Sequence, residues 1–308
     1  MSSVTSGPNL PRLKSALLLL TAALIWGSAF VGQLLGMASV GPLTFTGARF
    51  VLGALLIAPL AWHEWQQLRR SGRGLSGNDV KGIVLLGTVL FAAVVLQQIG
   101  LVSSTATNAG FLTVLYVPMV PLLYWLLRRH VMHWSVWPAS LGCVFGTWLL
   151  SGAGGLALSV GDIWILACTL PCALHVILVG QLAKRVPGVF ILAFGQFVVC
   201  AVWATVLALA TEPISLAGLR QAAGTIAYTG IMSVGIAFTL QVLGQRHAHP
   251  ADSAIVLSSE ALFAALFGAL LLGERMTHAG LIGGALILVS IIAVQLLPLL
   301  RKPTLAAA

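Results

Sequence analysis

Two charged residues, Arg49 and Glu260, lie well inside long apolar stretches of the sequence. A charge at the centre of a membrane helix costs roughly 2.5–3.5 kcal/mol on insertion scales, so such residues usually face a cavity or a partner. A guanidinium and a carboxylate in such places predict contacts with a charged substrate or with a transferred proton. A structural ion pair that locks two helices together would explain the same residues, and both interpretations stay open.

Other polar and aromatic residues in apolar stretches are candidates for the same site. His175 lies four residues after Pro171, and the ordinary imidazole pKa of about 6.5 suits a proton relay. A hydrogen bond to a neighbouring helix would explain this histidine equally well. Trp26 and Tyr116 could line a pocket, and amides could bind a zwitterion or hold helices together. The amides in question are Gln33, Gln97, Gln98, Asn108, Gln181, Gln196, Gln241 and Gln245.

The composition indicates that a membrane surrounds these residues. Of the 308 residues, 59% are hydrophobic and only 7% are charged, whereas a soluble domain carries roughly 25% charged residues. The apolar stretches are continuous and long enough for helices to cross a bilayer, and they lack the alternation of a β-barrel. We expect an all-α integral membrane protein with ten transmembrane helices. The predicted spans are 15–35, 43–62, 81–102, 106–127, 133–152, 161–182, 187–210, 221–243, 251–272 and 278–298.

The distribution of Lys and Arg predicts the orientation of these spans. Cytoplasmic segments of membrane proteins carry an excess of basic residues. With both termini in the cytoplasm, thirteen of the sixteen basic residues lie on the cytoplasmic side, Arg220 and Arg275 lie outside, and Arg49 lies within a span. We therefore expect a multi-pass protein of the inner (cytoplasmic) membrane. The net charge of +9 sits in short loops and does not predict a nucleic-acid partner.

An internal repeat relates the two halves of the chain. Residues 97–146 align without a gap on 241–290, so that Gln97 matches Gln241. Each half holds five predicted helices, and because five is odd the second half must be inverted relative to the first. Inverted repeats are common in secondary transporters, whose substrate sites lie near the membrane midplane between the repeats. The predicted units are a tail over 1–14, repeats over 15–152 and 161–298, and a tail over 299–308.

The repeat also groups the candidate residues. It aligns Tyr116 with Glu260 and Asn108 with Asp252, and it predicts a central cavity between symmetry-related helices. Such a cavity would offer a cation, a carboxylate, amides and aromatic faces, which suit a small zwitterion or amphipathic metabolite. The candidate residues for substrate binding or coupling are Arg49, Glu260, Tyr116, His175, Trp26, Gln97, Gln241 and Asn108.

Short motifs in both halves resemble a known family. The motifs are Ala23-Leu24-Ile25-Trp26-Gly27-Ser28-Ala29-Phe30, Ala48-Arg49-Phe50, Gln97-Gln98-Ile99-Gly100-Leu101, Ala106-Thr107-Asn108-Ala109-Gly110-Phe111-Leu112, Leu174-His175-Val176 and Leu272-Gly273-Glu274-Arg275. Their order and spacing resemble the ten-helix EamA-type members of the drug/metabolite transporter superfamily. The resemblance implies export or exchange of small metabolites, often amino acids, by alternating access.

Two positions depart from the pattern of that family. His130 occupies the place that matches Glu274 in the second half, where the family usually carries a Glu-Arg pair. The sequence Ser259-Glu260-Ala261 lacks the proline that commonly follows this glutamate, which puts a hinge in the ninth helix in doubt. Pro118 and Pro121 in the fourth helix remain compatible with a kink.

Two other classes of function stay open beside a secondary transporter: a membrane-embedded enzyme, and a non-transporting membrane protein. The sequence contains no H-E-x-x-H, G-x-S-x-G or P-loop motif, so catalytic chemistry and ATP-driven transport find no support in it. The four cysteines lie in apolar stretches, which predicts neither a disulfide framework nor a zinc site. We expect no cofactor and no metal, and partners limited to a small-molecule substrate and lipid, with a homodimer left open.

Overall fold

A computed structural model of the chain describes residues 10–104, 106–129, 133–150, 159–272 and 277–300. These residues form helices and no strand; nine helices in this part are long and apolar enough to cross a membrane, and a tenth apolar helix is shorter. The ten helices are α1 (Leu10–Met37), α2 (Pro42–Arg70), α3 (Gly77–Leu101), α4 (Ala106–Val114 and Tyr116–Arg128), α5 (Val136–Leu150), α6 (Val160–Arg185), α7 (Val189–Thr211), α8 (Ala223–Gln245), α9 (Pro250–Leu257 and Ser259–Leu272) and α10 (His278–Leu300). The prediction of an all-α membrane protein with ten helices is confirmed.

Helix boundaries differ most from the predicted spans in α2. Its predicted span ends at residue 62, whereas the helix continues to Arg70. The reason is that hydropathy measures the apolar part of a helix, and α2 continues into polar residues after crossing the apolar layer. The predicted end of the fifth span at 151–152, and the compared residues His130 and Glu274, lie outside the described residues.

The helices pack in pairs that recur between the two halves. Helix α3 packs against α6 as α8 packs against α1, and α4 packs against α6 as α9 packs against α1. Helices α2 and α7 pack against each other, as do α5 and α10. When α1–α5 are matched in order to α6–α10, the pair α3–α6 corresponds to the pair α8–α1, and the pair α4–α6 corresponds to α9–α1. The pairs α2–α7 and α5–α10 each correspond to themselves. Phe50 and Phe197 occupy nearly equivalent positions in the two halves of the sequence, and their ring centroids lie 6.1 Å apart. The pseudo-twofold axis that relates the two halves therefore passes near these rings.

Glutamate side chains join α2 and α7 at both ends. Glu212, just after α7, accepts hydrogen bonds from two backbone N–H groups in the first turn of α2, both at 2.8 Å. Glu64, near the end of α2, accepts hydrogen bonds from the N–H groups of Val189 and Ile191 at 3.0 and 2.9 Å. The first N–H groups of a helix have no partner within it and carry partial positive charge. Each helix of the pair therefore caps the other.

Helices α4 and α9 are both interrupted near the middle, at Leu115 and Ser258. The repeat offset relates these two positions to within one residue. The hydroxyl groups of Ser258 and Ser259 donate to carbonyl oxygens three residues earlier, at 2.6 and 2.7 Å, and such bonds compete with the helical pattern. Helix α9 is therefore interrupted at Ser258 without a proline beside Glu260, and whether it hinges there stays open.

Candidate functional site

A cavity of about 90 Å³ lies between the two halves of the molecule, lined by α1–α4, α6, α8 and α9. Seven of the eight candidate residues line it: Trp26, Arg49, Gln97, Tyr116, His175, Gln241 and Glu260. The side chain of the eighth, Asn108, lies outside the described part of the structure. Its repeat equivalent Asp252 lies at the start of α9, in an ion pair with Arg12 at 3.3 Å. The roles of these residues in binding stay a prediction.

Arg49 is a cation that has no acidic partner among the described residues. Its side chain is buried, with 3% of the residue exposed, and Nη1 donates to Gln33 Oε1 at 2.9 Å. The guanidinium carbon lies 5.7 and 5.5 Å from the ring centroids of Phe45 and Phe50. Its Nε–H has no hydrogen-bond partner. One neutral amide and two aromatic faces leave part of the hydrogen-bonding capacity of this cation unused.

Glu260 lies two residues beyond the interruption in α9 and faces the same cavity. Its carboxylate lies near the Tyr116 hydroxyl and the Cys172 thiol. In the described part of the structure the ion pairs join Arg12 to Asp252 and Arg185 to Asp79, and none joins Arg49 to Glu260. The helix-locking ion pair that the sequence left open is not formed.

The remaining acidic residues in the described ranges are engaged at helix ends. Glu64 and Glu212 cap α7 and α2, while Asp79 and Asp162 form capping boxes with the serines that precede α3 and α6. Asp252 pairs with Arg12. Glu260 therefore differs from the other described acids in facing the central cavity rather than a helix end.

His175 is hydrogen-bonded across to α7. Its Nε2 lies 2.9 Å from the side-chain amide oxygen of Gln196. The ring lies edge-on to Phe238 with centroids 5.9 Å apart. The hydrogen bond to a neighbouring helix is thus present, and a role for His175 in proton transfer stays a prediction.

Helix α8 carries an unusual segment at the cavity. Residues Thr229–Phe238 are π-helical, a rare geometry that often occurs at functional sites. The Trp26 indole Nε1–H donates to the Ser233 carbonyl oxygen in this segment at 3.2 Å, and the Trp26 ring lies 4.7 Å from that of Phe238. The altered helix thus holds one aromatic wall of the cavity in place.

The cavity amides divide into two kinds. Gln97 Nε2 donates to Thr113 Oγ1 at 3.1 Å, which joins α3 to α4. Gln241 Oε1 is buried and has no partner, although Gln241 lines the cavity. Gln245 lies one turn further along α8, and its Nε2 donates to the Val176 carbonyl oxygen at 2.9 Å. Gln245 therefore joins α8 to α6 from outside the cavity lining, and its Oε1, like that of Gln241, has no partner among the described residues.

Sequence reasoning did not select several residues that line the cavity. Phe238 and Thr113 lie three residues before Gln241 and Tyr116, and helical neighbours at this spacing share a face. That periodicity is the signal that would have found them. For Ser233, which contributes its backbone carbonyl oxygen, the sequence carries no such signal.

Comparison with known proteins identifies the family. The model of the EamA-like transporter family matches residues 13–152 and again 159–296. The chain belongs to the EamA-like transporter family. A relative from Archaeoglobus fulgidus, named an uncharacterized transporter, is 30% identical over 289 residues, which cover 92% of this chain and 87% of the relative. A protein of known crystal structure shares the fold at a TM-score of 0.75 and 18% identity, covering 94% of this chain and 100% of that one. The protein is a multi-pass membrane transporter.

Proposed function

We propose that this transporter exports or exchanges a small zwitterionic metabolite, such as an amino acid, by alternating access. The observation that supports this proposal most is that Arg49 and Glu260, groups of opposite charge, line one cavity, and neither forms an ion pair within the described ranges. Leaving charges unpaired in an apolar interior is costly, and a ligand that carries both charges would satisfy them.

Arg49 would bind the carboxylate of the substrate. A guanidinium can hold a carboxylate through two parallel hydrogen bonds, and a lysine ammonium cannot reproduce this geometry. Gln33 occupies Nη1 of Arg49, while the buried Nε has no partner among the described residues, so a carboxylate that reached the Nε edge would satisfy it. The nearby faces of Phe45 and Phe50 keep water from competing for it.

Glu260 would bind the cationic group of the substrate or, in its absence, a proton. The interruptions at Leu115 and Ser258 precede Tyr116 and Glu260 by one and two residues. Bending of α4 and α9 at these interruptions would move Tyr116 and Glu260 during alternating access. Substrate binding at Tyr116 and Glu260 would then be linked to the opening of the cavity toward either side of the membrane.

We propose further that both termini are cytoplasmic and that the protein lies in the inner (cytoplasmic) membrane, as the distribution of basic residues indicates. The alternatives, a membrane-embedded enzyme or a non-transporting protein, differ from the proposal in one measurable respect. Purified protein in liposomes should exchange labelled substrate for unlabelled substrate without any other component. Exchange absent for every α-amino acid and short amphipathic zwitterion tried, with folded protein in the liposomes, would reject the proposal.

Substitution of Arg49 tests the site itself. We expect Arg49→Lys to weaken substrate affinity roughly 10- to 100-fold, since a hydrogen bond to a charged group contributes about 1.5–3 kcal/mol. Exchange in liposomes measures the effect, and size-exclusion chromatography checks that the variant is folded. Arg73→Lys, at an exposed position, is the matched control and should behave as the unaltered protein. Unaltered affinity in Arg49→Lys would remove Arg49 from the substrate site.

A further inference from the structure

The surface of the α2–α7 pair carries an apolar groove, which we name the α2–α7 groove. Its volume is about 390 Å³. Trp62 is 59% exposed, so the groove opens away from the protein interior. Its walls are Ala58, Ala61, Trp62, Trp65, Ile191 and Phe194.

A cationic rim closes one end of the α2–α7 groove. The rings of Trp62 and Trp65 lie 5.0 Å apart, and the Arg69 guanidinium lies 4.8 Å from the Trp65 ring centroid. Arg70 follows directly, and both arginines are exposed. The ion pairs of the described residues involve neither of them. The rim therefore presents positive charge that the protein does not neutralise.

The nearest acidic side chain does not reduce this charge by pairing with it. Glu64 lies five residues before Arg69 on α2. Its two carboxylate oxygens accept hydrogen bonds from the backbone N–H groups of Val189 and Ile191. Its carboxylate is thus held by the start of α7, and the Arg69 guanidinium lies over the Trp65 ring instead.

The dimensions of the groove match one leaflet of a bilayer. Ala58 and Arg69 are eleven residues apart on α2, which is roughly 16 Å at 1.5 Å per residue. The hydrocarbon core of a bilayer is about 30 Å thick, so one leaflet contributes about half of that. Trp side chains favour the interface between hydrocarbon and headgroups, where this groove ends.

We propose that the α2–α7 groove binds an anionic phospholipid, with an acyl chain along its apolar walls and the phosphate against Arg69. An anionic headgroup adds net negative charge near Arg69 and Arg70, whereas a zwitterionic headgroup carries its own cation. The site is independent of the central cavity and takes a lipid from the bilayer rather than a transported substrate.

Lipid retention in native mass spectrometry tests the proposal. Detergent-purified protein is equilibrated with phosphatidylglycerol or phosphatidylcholine of identical acyl chains. We expect phosphatidylglycerol to be retained about fivefold better, the size of effect that one cation near a membrane surface produces. Arg69→Gln should lose this preference, while Arg73→Gln, a matched exposed arginine without a contact to an aromatic ring, should keep it. A preference that survives Arg69→Gln would overturn the proposal.

A second variant tests the apolar part of the groove. Ala58 is half-buried at the far end from Arg69, and Ala58→Phe would fill the space of the acyl chain. This variant should retain less of both lipids, whereas Arg69→Gln affects only the anionic one. Retention of both lipids at the level of the unaltered protein in Ala58→Phe would place the bound lipid elsewhere.

Discussion

Arg49 and Glu260 face one cavity without forming an ion pair, and this separation determines what each side chain can do. An ionised carboxylate with no counter-charge is costly in apolar surroundings, so Glu260 requires either a proton or a cation beside it. If the cationic group of the substrate and a proton compete for Glu260, departure of one favours arrival of the other. Such competition would couple substrate movement to a proton gradient.

The coupling hypothesis is tested at this residue. We expect Glu260→Gln to abolish uptake driven by a pH gradient while substrate exchange continues at weaker affinity, because glutamine keeps the shape of the side chain but has no charge for the cationic group and cannot gain or lose a proton. Proteoliposomes with and without an imposed pH gradient measure both activities. Glu212→Gln, the same substitution at a helix cap outside the cavity, is the control. Unchanged pH-driven uptake in Glu260→Gln would show that another group carries the proton.

At the residue scale, the sequence identified most of the polar groups that line the cavity. Arg49, His175 and Gln241 stand out because polar groups are rare in apolar stretches, and a membrane protein accommodates them where a cavity or partner exists. Their pairing was not predictable. It depends on how each helix is rotated about its own axis, and that rotation directs Arg49 toward Gln33 rather than toward Glu260.

At the element scale, the reciprocal caps hold α2 and α7 together as one antiparallel unit. Glu212 and Glu64 each accept two backbone N–H bonds, at opposite ends of the pair. Gly41 and Gly188 precede the capped turns, and a Cβ atom at either would lie 2.3 and 2.7 Å from the capping carboxylate. A larger residue at either position would therefore have to displace the capping carboxylate. We infer that α2 and α7 move together while the interrupted helices α4 and α9 bend.

Loss of either cap should destabilise the protein. We expect Glu64→Gln and Glu212→Gln each to cost about 1 kcal/mol, since an amide offers one acceptor oxygen for two N–H groups and helix caps contribute on this order. The two effects should add, because the caps lie at opposite ends of α2. Thermal unfolding in detergent measures them.

The control for this measurement is a Glu→Gln substitution at a glutamate that caps no helix. Glu260→Gln removes a charge that caps no helix, so its melting temperature should not fall. A double variant, Glu64→Gln with Glu212→Gln, that melts like the unaltered protein would show that the caps do not stabilise the pair.

The elements themselves were predictable to different degrees. Ten helices follow from the length of the apolar stretches, because each backbone must satisfy its own hydrogen bonds in lipid. The caps were not predictable, since Glu212 and its partners in α2 are more than 160 residues apart in sequence. The π-helical segment Thr229–Phe238 also gave no signal, because its geometry depends on contacts with other helices such as that of Trp26.

At the scale of the whole molecule, the inverted repeat gives nearly the same arrangement of helices at the two ends of the molecule, which face opposite sides of the membrane. The pairing of helices therefore does not decide which end faces the cytoplasm, and the charges must. In the described part of the chain, eleven Lys and Arg lie at the end of the molecule where α1 begins. Arg220 lies at the opposite end, and Arg49 lies between them. This asymmetry predicts that α1 begins in the cytoplasm.

We therefore expect Arg73 to face the cytoplasm and Arg220 to face the other side. Both arginines are exposed: Arg73 lies in the loop after α2, and Arg220 lies near the end of a short helix that precedes α8. A cysteine in either place should therefore react with a maleimide. The background is a variant without the native thiols Cys143, Cys168, Cys172 and Cys200. On intact cells a membrane-impermeant maleimide should label Arg220→Cys alone, and permeabilised cells should show both. Labelling of Arg73→Cys alone on intact cells would reverse the orientation, because the two positions lie at opposite ends of a helical fold that does not itself distinguish them.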